Sequence, residues 1–193
     1  NSINKKEISI LDVGGTQTYW QAMNFGNEDG VKINLLNLSS RNIKEAHFTS
    51  VVGDATDLSQ YENNQFDIVF SNSVIEHLYT WEAQVLMAKE VSRVGKSYYV
   101  QTPNYYFPIE PHWMFPFFQF LPFGIKLLLT KNFSLGHYKR AKNEAEAIKK
   151  INEVRLLTPK DMNKLFPDGA VYKERFCGLT KSITMYNFDC YTI

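Results

Sequence analysis

Short apolar runs recur along the first hundred residues, with polar turns or amphipathic spacing between them. "ISILDV" (8–13), "VKINLLNL" (31–38), "FTSVV" (48–52), "FDIVFSNS" (66–73) and "KSYYVQT" (96–102) have the β-branched and aromatic content of buried strands. A short helical segment is expected through "YWQAMNF", and "NEDG" reads as a turn before the second run. In "TWEAQVLMAKEVSRVG", Trp81, Val85, Ala88 and Val91 recur at helical intervals. Thr80 is placed to cap the start of that helix and Gly95 to stop it. Alternating strand and helix predicts a mostly parallel sheet covered on both faces, with ligands at the carboxyl ends of its strands.

After Pro103 the rhythm breaks for about fifty residues, a length that usually carries function inside a compact domain. This excursion, about 103–150, starts aromatic and Pro-rich and ends in a helix through "AKNEAEAIKKINEV". In "LLTPKDMNKLF", Thr158 is the expected cap, Pro159 the first helical residue, and the stop falls before Pro167. The tail "AVYKERFCGLTKSITMYNF" predicts two antiparallel strands around a short Gly-containing loop.

Composition narrows the class. The chain has 193 residues, 44% of them hydrophobic, which suits a single domain over 1–193 with one substantial core. A net charge of +1 speaks against a nucleic-acid partner. The basic clusters "HYKRAK" and "IKK" are interleaved with Glu144 and Glu146, the pattern of a solvated helix face. "WMFPFFQFLPFGIKLLL" is broken by Pro116, Gln119, Pro122 and Lys126, so it fails as a membrane span. Polar "NSINKKE" does not read as a secretory leader. Cys177 and Cys190 lack metal spacing and are expected as small buried side chains in late strands. A reduced, cytoplasmic setting is the expectation.

"ILDVGGTQTYW" looks like a nucleotide loop, yet a dinucleotide fingerprint needs a third glycine and an acid at the end of the second strand. Here Thr16, Gln17 and Thr18 follow the glycines, and Asn37 stands where the acid belongs. The ordered set "ILDVGG", "VVGDATDL", "FDIVFSNSVIEHL" and "TPNYYFPIEPHWMFPFF", running on to "LLTPKDMNKLFPD", instead resembles the class I S-adenosylmethionine-dependent methyltransferases of the type 11 group. The resemblance implies an α/β, Rossmann-like seven-stranded sheet, mostly parallel, with an antiparallel last strand and helices on both faces. It implies S-adenosyl-L-methionine as cofactor. That ligand carries no phosphate, so Gly14 and Gly15 need only let the backbone approach it closely.

The same resemblance suggests cofactor-binding roles residue by residue. Asp12 matches the acid that helps hold the methionine ammonium group; a helix-capping role is its structural alternative. Asn37 occupies the ribose position without the charge that strengthens such bonds. Asp54 matches the acid that accepts from the adenine amino group, with Ala55 beside the ring; its alternative is a turn-stabilising Asp. Asp57 reads as a local cap. Asn72 closes the fourth strand, where the reactive methyl should lie.

For chemistry, His112 is the first candidate base and His77, of the "EH" pair with Glu76, the second; either is also read as a packed, hydrogen-bonded side chain. Tyr105, Tyr106, Glu110, Trp113 and His137 are candidate acceptor-site residues. The excursion is expected to be a lid or acceptor pocket, a membrane-surface contact, or a completion of the core. The function expected is methyl transfer to a small-molecule O- or N-nucleophile. The rivals are a cofactor-binding module of the same fold with lost or weak catalysis, and an aminopropyl transferase, which would want more acids than Glu110 in its pocket.

Overall fold

The computed structural model describes residues 7–25 and 30–188. Its elements run β1 (Ile8–Val13), α1 (Gln17–Ala22), β2 (Val31–Asn37), β3 (Phe48–Val52), β4 (Phe66–Asn72), a 3-10 turn (Ile75–His77), α2 (Trp81–Val94) and β5 (Gly95–Pro103). There follow β6 (Ile109–Glu110), β7 (Phe115–Pro116), α3 (Phe123–Asn132), α4 (Glu144–Asn152), α5 (Pro159–Leu165), β8 (Ala170–Phe176) and β9 (Leu179–Tyr186). Seven strands form one sheet in the order β3-β2-β1-β4-β5-β9-β8. The first five are parallel; β9 runs antiparallel to both β5 and β8. This is the seven-stranded, helix-flanked architecture the sequence predicts.

Strand periodicity sorts side chains onto two cores. Leu11, Val13 and Leu36 join α2 and α5 residues such as Met87, Val91 and Met162 on one face. Ile10, Ile33 and Leu35 point the other way, toward Trp20 of α1. The helix ends follow the predicted chemistry. Thr80 Oγ1 accepts from Ala83 N at the start of α2. Thr158 and Asp161 form a reciprocal capping box on α5, with Pro159 in the first turn. Gly95 stops α2 in extended rather than left-handed backbone, because it is already the first residue of β5.

One expectation fails. Cys177 is exposed, not buried in a strand. With Gly178 it forms the two-residue β8–β9 turn, both at positive φ (49° and 80°), the handedness that matches strand twist in a tight hairpin. Cys190 and residues 27–29 of the expected "NEDG" turn lie outside the described residues.

The excursion leaves and rejoins the sheet at one place. Asn104 forms a parallel bridge with Leu157, and Tyr105 N donates to Leu157 O at 3.0 Å. Asn104 also donates from N and Nδ2 to Lys181 O and Thr180 O. Beyond that pin, β6 and β7 form a small hairpin around Trp113, which is buried and stacked on Phe118 at 4.2 Å. Among the described residues, no helix is long and apolar enough to cross a membrane.

Candidate active site

One cleft is lined by His77 and a second by Glu110, the hydrogen-bond partner of His112. The larger, about 560 Å³, opens at the carboxyl ends of β1, β2 and β3 and is lined by Gly14, Asn37, Asp54, Ala55, Val74 and His77, among others. Its wall is mostly apolar with a polar rim, the make-up and size of a small-molecule site. Gly14 adopts φ +79°, and a Cβ there would sit 2.5 Å from Val74 Cγ2, so the loop closes against Val74 only as glycine.

Gly15 has a different reason. A Cβ on it would lie 1.5 Å from Asp12 Oδ2. The Asp12 carboxylate occupies the space under the loop and accepts from Trp20 Nε1 at 2.6 Å. Asp12 does not cap α1; Thr16 does, through Tyr19 N. Burial pushes the Asp12 carboxyl up to about 7, and the Trp20 bond only partly offsets this.

Asn37 Nδ2 donates to Gly15 O at 2.9 Å, tying the end of β2 to the glycine loop. The sequence reading expects Asn37→Asp to tighten cofactor binding by restoring the ribose acid. This bond reverses that expectation. The substitution removes a donor and sets a carboxylate against a carbonyl, costing about 1–3 kcal/mol. Asn37→Asp is therefore expected to lower the melting temperature and weaken adenosylhomocysteine binding in calorimetry; tighter binding would restore the ribose argument.

Asp54 is exposed and borders the cleft, and its Oδ1 accepts from Thr56 N and Oγ1 at 2.8 Å, so the turn role is present. Asp57 Oδ1 accepts from Ser59 N, a local turn bond. Asn72 ends β4 and is not among the residues that line the cleft. Ser39, Arg41, Leu78 and Tyr79 also border the cleft and were not singled out from sequence. Only their place after β2 and after the "EH" pair hints at this.

The excursion meets this cleft at one point. His112 Nε2 lies 3.3 Å from His77 Nε2, with the ring planes 88° apart. On its other side, His112 Nδ1 is bonded to Glu110 Oε1 at 2.7 Å, and Glu110 Oε2 accepts from Trp113 N at 2.7 Å. Burial pulls the His112 imidazole down, but the Glu110 bond and charge, with Glu76, lift it above its ordinary value. His77 is lowered by burial and by the neighbouring His112. Glu76 is fully buried, which pushes its carboxyl up to about 7. Thr102 donates to its Oε2 at 3.0 Å, and Oε1 has no hydrogen-bond partner.

The second cleft, about 440 Å³, lies within and beside the excursion. Tyr105, Glu110 and Trp113 line it as the sequence suggested, together with Gln119, Lys126 and Arg155, which the sequence did not single out. Tyr106 (61% exposed) and His137 are at the surface and line neither cleft. His137 contributes its backbone N–H to His112 O at 2.9 Å. Phe117, Phe120, Phe123 and Leu128 also remain exposed.

Residues 11–98 match a family described as a methyltransferase domain, type 11. Over 54 residues the chain is 43% identical to an uncharacterized protein of Mycobacterium tuberculosis, a stretch covering 28% of this chain and 18% of that protein. Among solved structures, a S-adenosylmethionine-dependent methyltransferase of Methanosarcina mazei superposes with TM-score 0.55 at 15% identity, covering 94% of this chain and 92% of that one. Phosphoethanolamine N-methyltransferase 2 of Haemonchus contortus, complexed with phosphomonomethylethanolamine and S-adenosylhomocysteine, gives 0.52 at 17% identity over 88% of this chain and 35% of that one. A S-adenosylmethionine-dependent methyltransferase of Aquifex aeolicus gives 0.50 at 10% identity over 94% and 82%. Sheet order, the antiparallel β9 and the match through β1–β5 agree: the chain has the fold of the class I S-adenosylmethionine-dependent methyltransferases, and its residues 11–98 match the type 11 methyltransferase domain.

Proposed function

We propose that this protein transfers a methyl group from S-adenosylmethionine to a small-molecule O- or N-nucleophile held against the excursion. The observation that carries this reading is the contact between His77, on the wall of the larger cleft, and His112 of the excursion, backed by buried Glu110. Asn37 and Asp54 would meet the ribose and adenine, Ala55 and Leu36 the adenine face, and the Gly14 backbone the methionine tail. Asp12, buried with one neutral donor, favours a nearby cation such as the ammonium group.

When bound, the cofactor supplies an electrophilic methyl on a sulfonium; the chain's share is to position the acceptor and exclude water. His112 is the residue placed to receive the acceptor's proton, since Glu110 fixes its ring and leaves Nε2 facing the cleft wall. His77 is second. Tyr105, Trp113 and Glu110 would line the acceptor site, with the excursion acting as its lid. The exposed Phe117, Phe120 and Phe123 support contact of that segment with a membrane surface. The alternative is a module that keeps the cofactor cleft and has lost turnover.

Calorimetry with adenosylmethionine and adenosylhomocysteine, followed by a turnover assay against acceptor mixtures, separates these. Binding of neither ligand at millimolar concentration would end the assignment, and binding without turnover favours the module. Within the bound state, Asp54→Ala is expected to cost more affinity than Asp57→Ala, by about 1.5–3 kcal/mol for a charge-assisted hydrogen bond to the adenine. Equal losses would place the adenine elsewhere.

A further inference from the structure

The two imidazoles that meet beside the larger cleft raise a question of hydrogens. His112 commits its Nδ1 hydrogen to Glu110 Oε1 at 2.7 Å, so Nε2 carries a lone pair in the neutral ring. His112 Nε2 faces His77 Nε2 at 3.3 Å, a separation that a hydrogen carried by His77 or a shared cation can bridge. Beside them the buried Glu76 presents a carboxylate oxygen, Oε1, with no donor. One ligand atom from each of these three side chains lies within 4.8 Å of the other two.

We infer that Glu76, His77 and His112 form a binding site for a zinc-class divalent cation. Two nitrogens bound to tetrahedral zinc at their usual lengths stand about 3.3–3.4 Å apart. The observed His77–His112 spacing already meets that requirement. The carboxylate must close in by at most about 1.5 Å to join them, given carboxylate–zinc lengths of about 2.0–2.2 Å. Its Oε1 has no bond to give up in doing so. Two histidines and one carboxylate are a set that borderline divalent metals accept, leaving a coordination position open. Glu110 completes the arrangement from behind: it holds the outer nitrogen of His112, as carboxylates commonly do for metal-bound histidines, and is itself fixed by Trp113 N. Because His77 also lines the larger cleft, an ion here borders the cofactor's place. Cation binding stands on these residues alone. Its use, to hold an oxygen of the acceptor and favour its deprotonated form, rests on the methyl-transfer reading, and His112 then acts through the ion rather than as the base itself.

The test uses chelator-stripped protein carrying Cys177→Ser, to remove the exposed thiol, with Co²⁺ and Zn²⁺ as probes. One equivalent of Co²⁺ is expected to bind and give visible absorption bands, displaced by Zn²⁺. His77→Gln and His112→Gln should each weaken Zn²⁺ by a hundredfold or more. Glu110→Gln should weaken it about 10–100-fold. His47→Ala should leave it unchanged. Circular dichroism and melting temperature confirm that each variant folds, and the glutamine replacements keep side-chain volume if alanine versions do not. No stoichiometric Co²⁺ or Zn²⁺ binding by the folded parent, or binding retained by the His77→Gln/His112→Gln double variant, would overturn the inference. Adenosylhomocysteine calorimetry on the same parent reports separately on the cofactor reading, so either can fail without the other.

Discussion

His112→Ala is expected to lower turnover by about 10²–10⁴-fold, as the proton acceptor or as a ligand of the cation that takes that role, while changing adenosylhomocysteine affinity less than threefold. The separation follows from position. Among the described residues His112 reaches the larger cleft through His77, whereas the cleft's own walls come from the loops after β1, β2, β3 and β4. Some stability will be lost as well, because Glu110 is buried and would be left with an unpartnered Oε1. The double variant His112→Ala/Glu110→Gln removes that charge. It should regain melting temperature and stay inactive. If turnover returns with stability, His112 is a structural residue; if His112→Ala is stable and fully active, it leaves the site altogether.

Gly15→Ala is expected to be the most damaging single change in the cofactor loop. The new Cβ would lie 1.5 Å from Asp12 Oδ2, so the carboxylate must move and release the Trp20 indole. Overpacking costs about 1–3 kcal/mol, and loss of a buried hydrogen bond about as much again. A loss of about 2–5 kcal/mol in urea unfolding is the expected result, with cofactor affinity falling alongside. The cause can be isolated by a double-mutant cycle. Asp12→Ala vacates the contested space, so Gly15→Ala should cost far less in that background than in the parent. Additive losses would mean the clash is not what makes this glycine necessary.

These two cases mark where sequence reading stops. The strands and the capped helices α2 and α5 depend on local chemistry, such as alternation, Thr80, Thr158 and Pro159, and all of it is visible in a short window. The cleft position was legible because the motif order carries it. The reason for each glycine was not. Two glycines in a loop suggest close approach by a ligand, yet Gly15 makes room for an acid three residues earlier, and Gly14 for Val74, sixty residues on. That Asn37 also ties down the glycine loop was hidden, because its bond to Gly15 O spans 22 positions. The His77–His112 contact spans 35 and depends on how the excursion folds back. Aromatic density after Pro103 announced an unusual segment but not which faces it buries. Trp113 and Phe118 went inside, whereas Tyr106 and Phe117 stayed out. The Gly-containing loop of the tail was legible, but Cys177 was assigned to a strand because nothing in "RFCGL" shows that the residue before Gly178 belongs to the turn.

The bridge between Asn104 and Leu157 has an evolutionary and engineering consequence. To the sheet, everything from Tyr105 to Leu156 is a loop whose ends are already joined. The entropy of closing a flexible loop grows only with the logarithm of its length, about 0.6 kcal/mol for each doubling. A replacement of quite different size and sequence can therefore be grafted between the same two residues at little cost to β5 or α5. All the residues bordering the larger cleft come from outside that span. The chain is thus built as a constant cartridge with an exchangeable cassette, and on the methyl-transfer proposal a single graft at Asn104 and Leu157 would change the acceptor recognised without rebuilding the cleft.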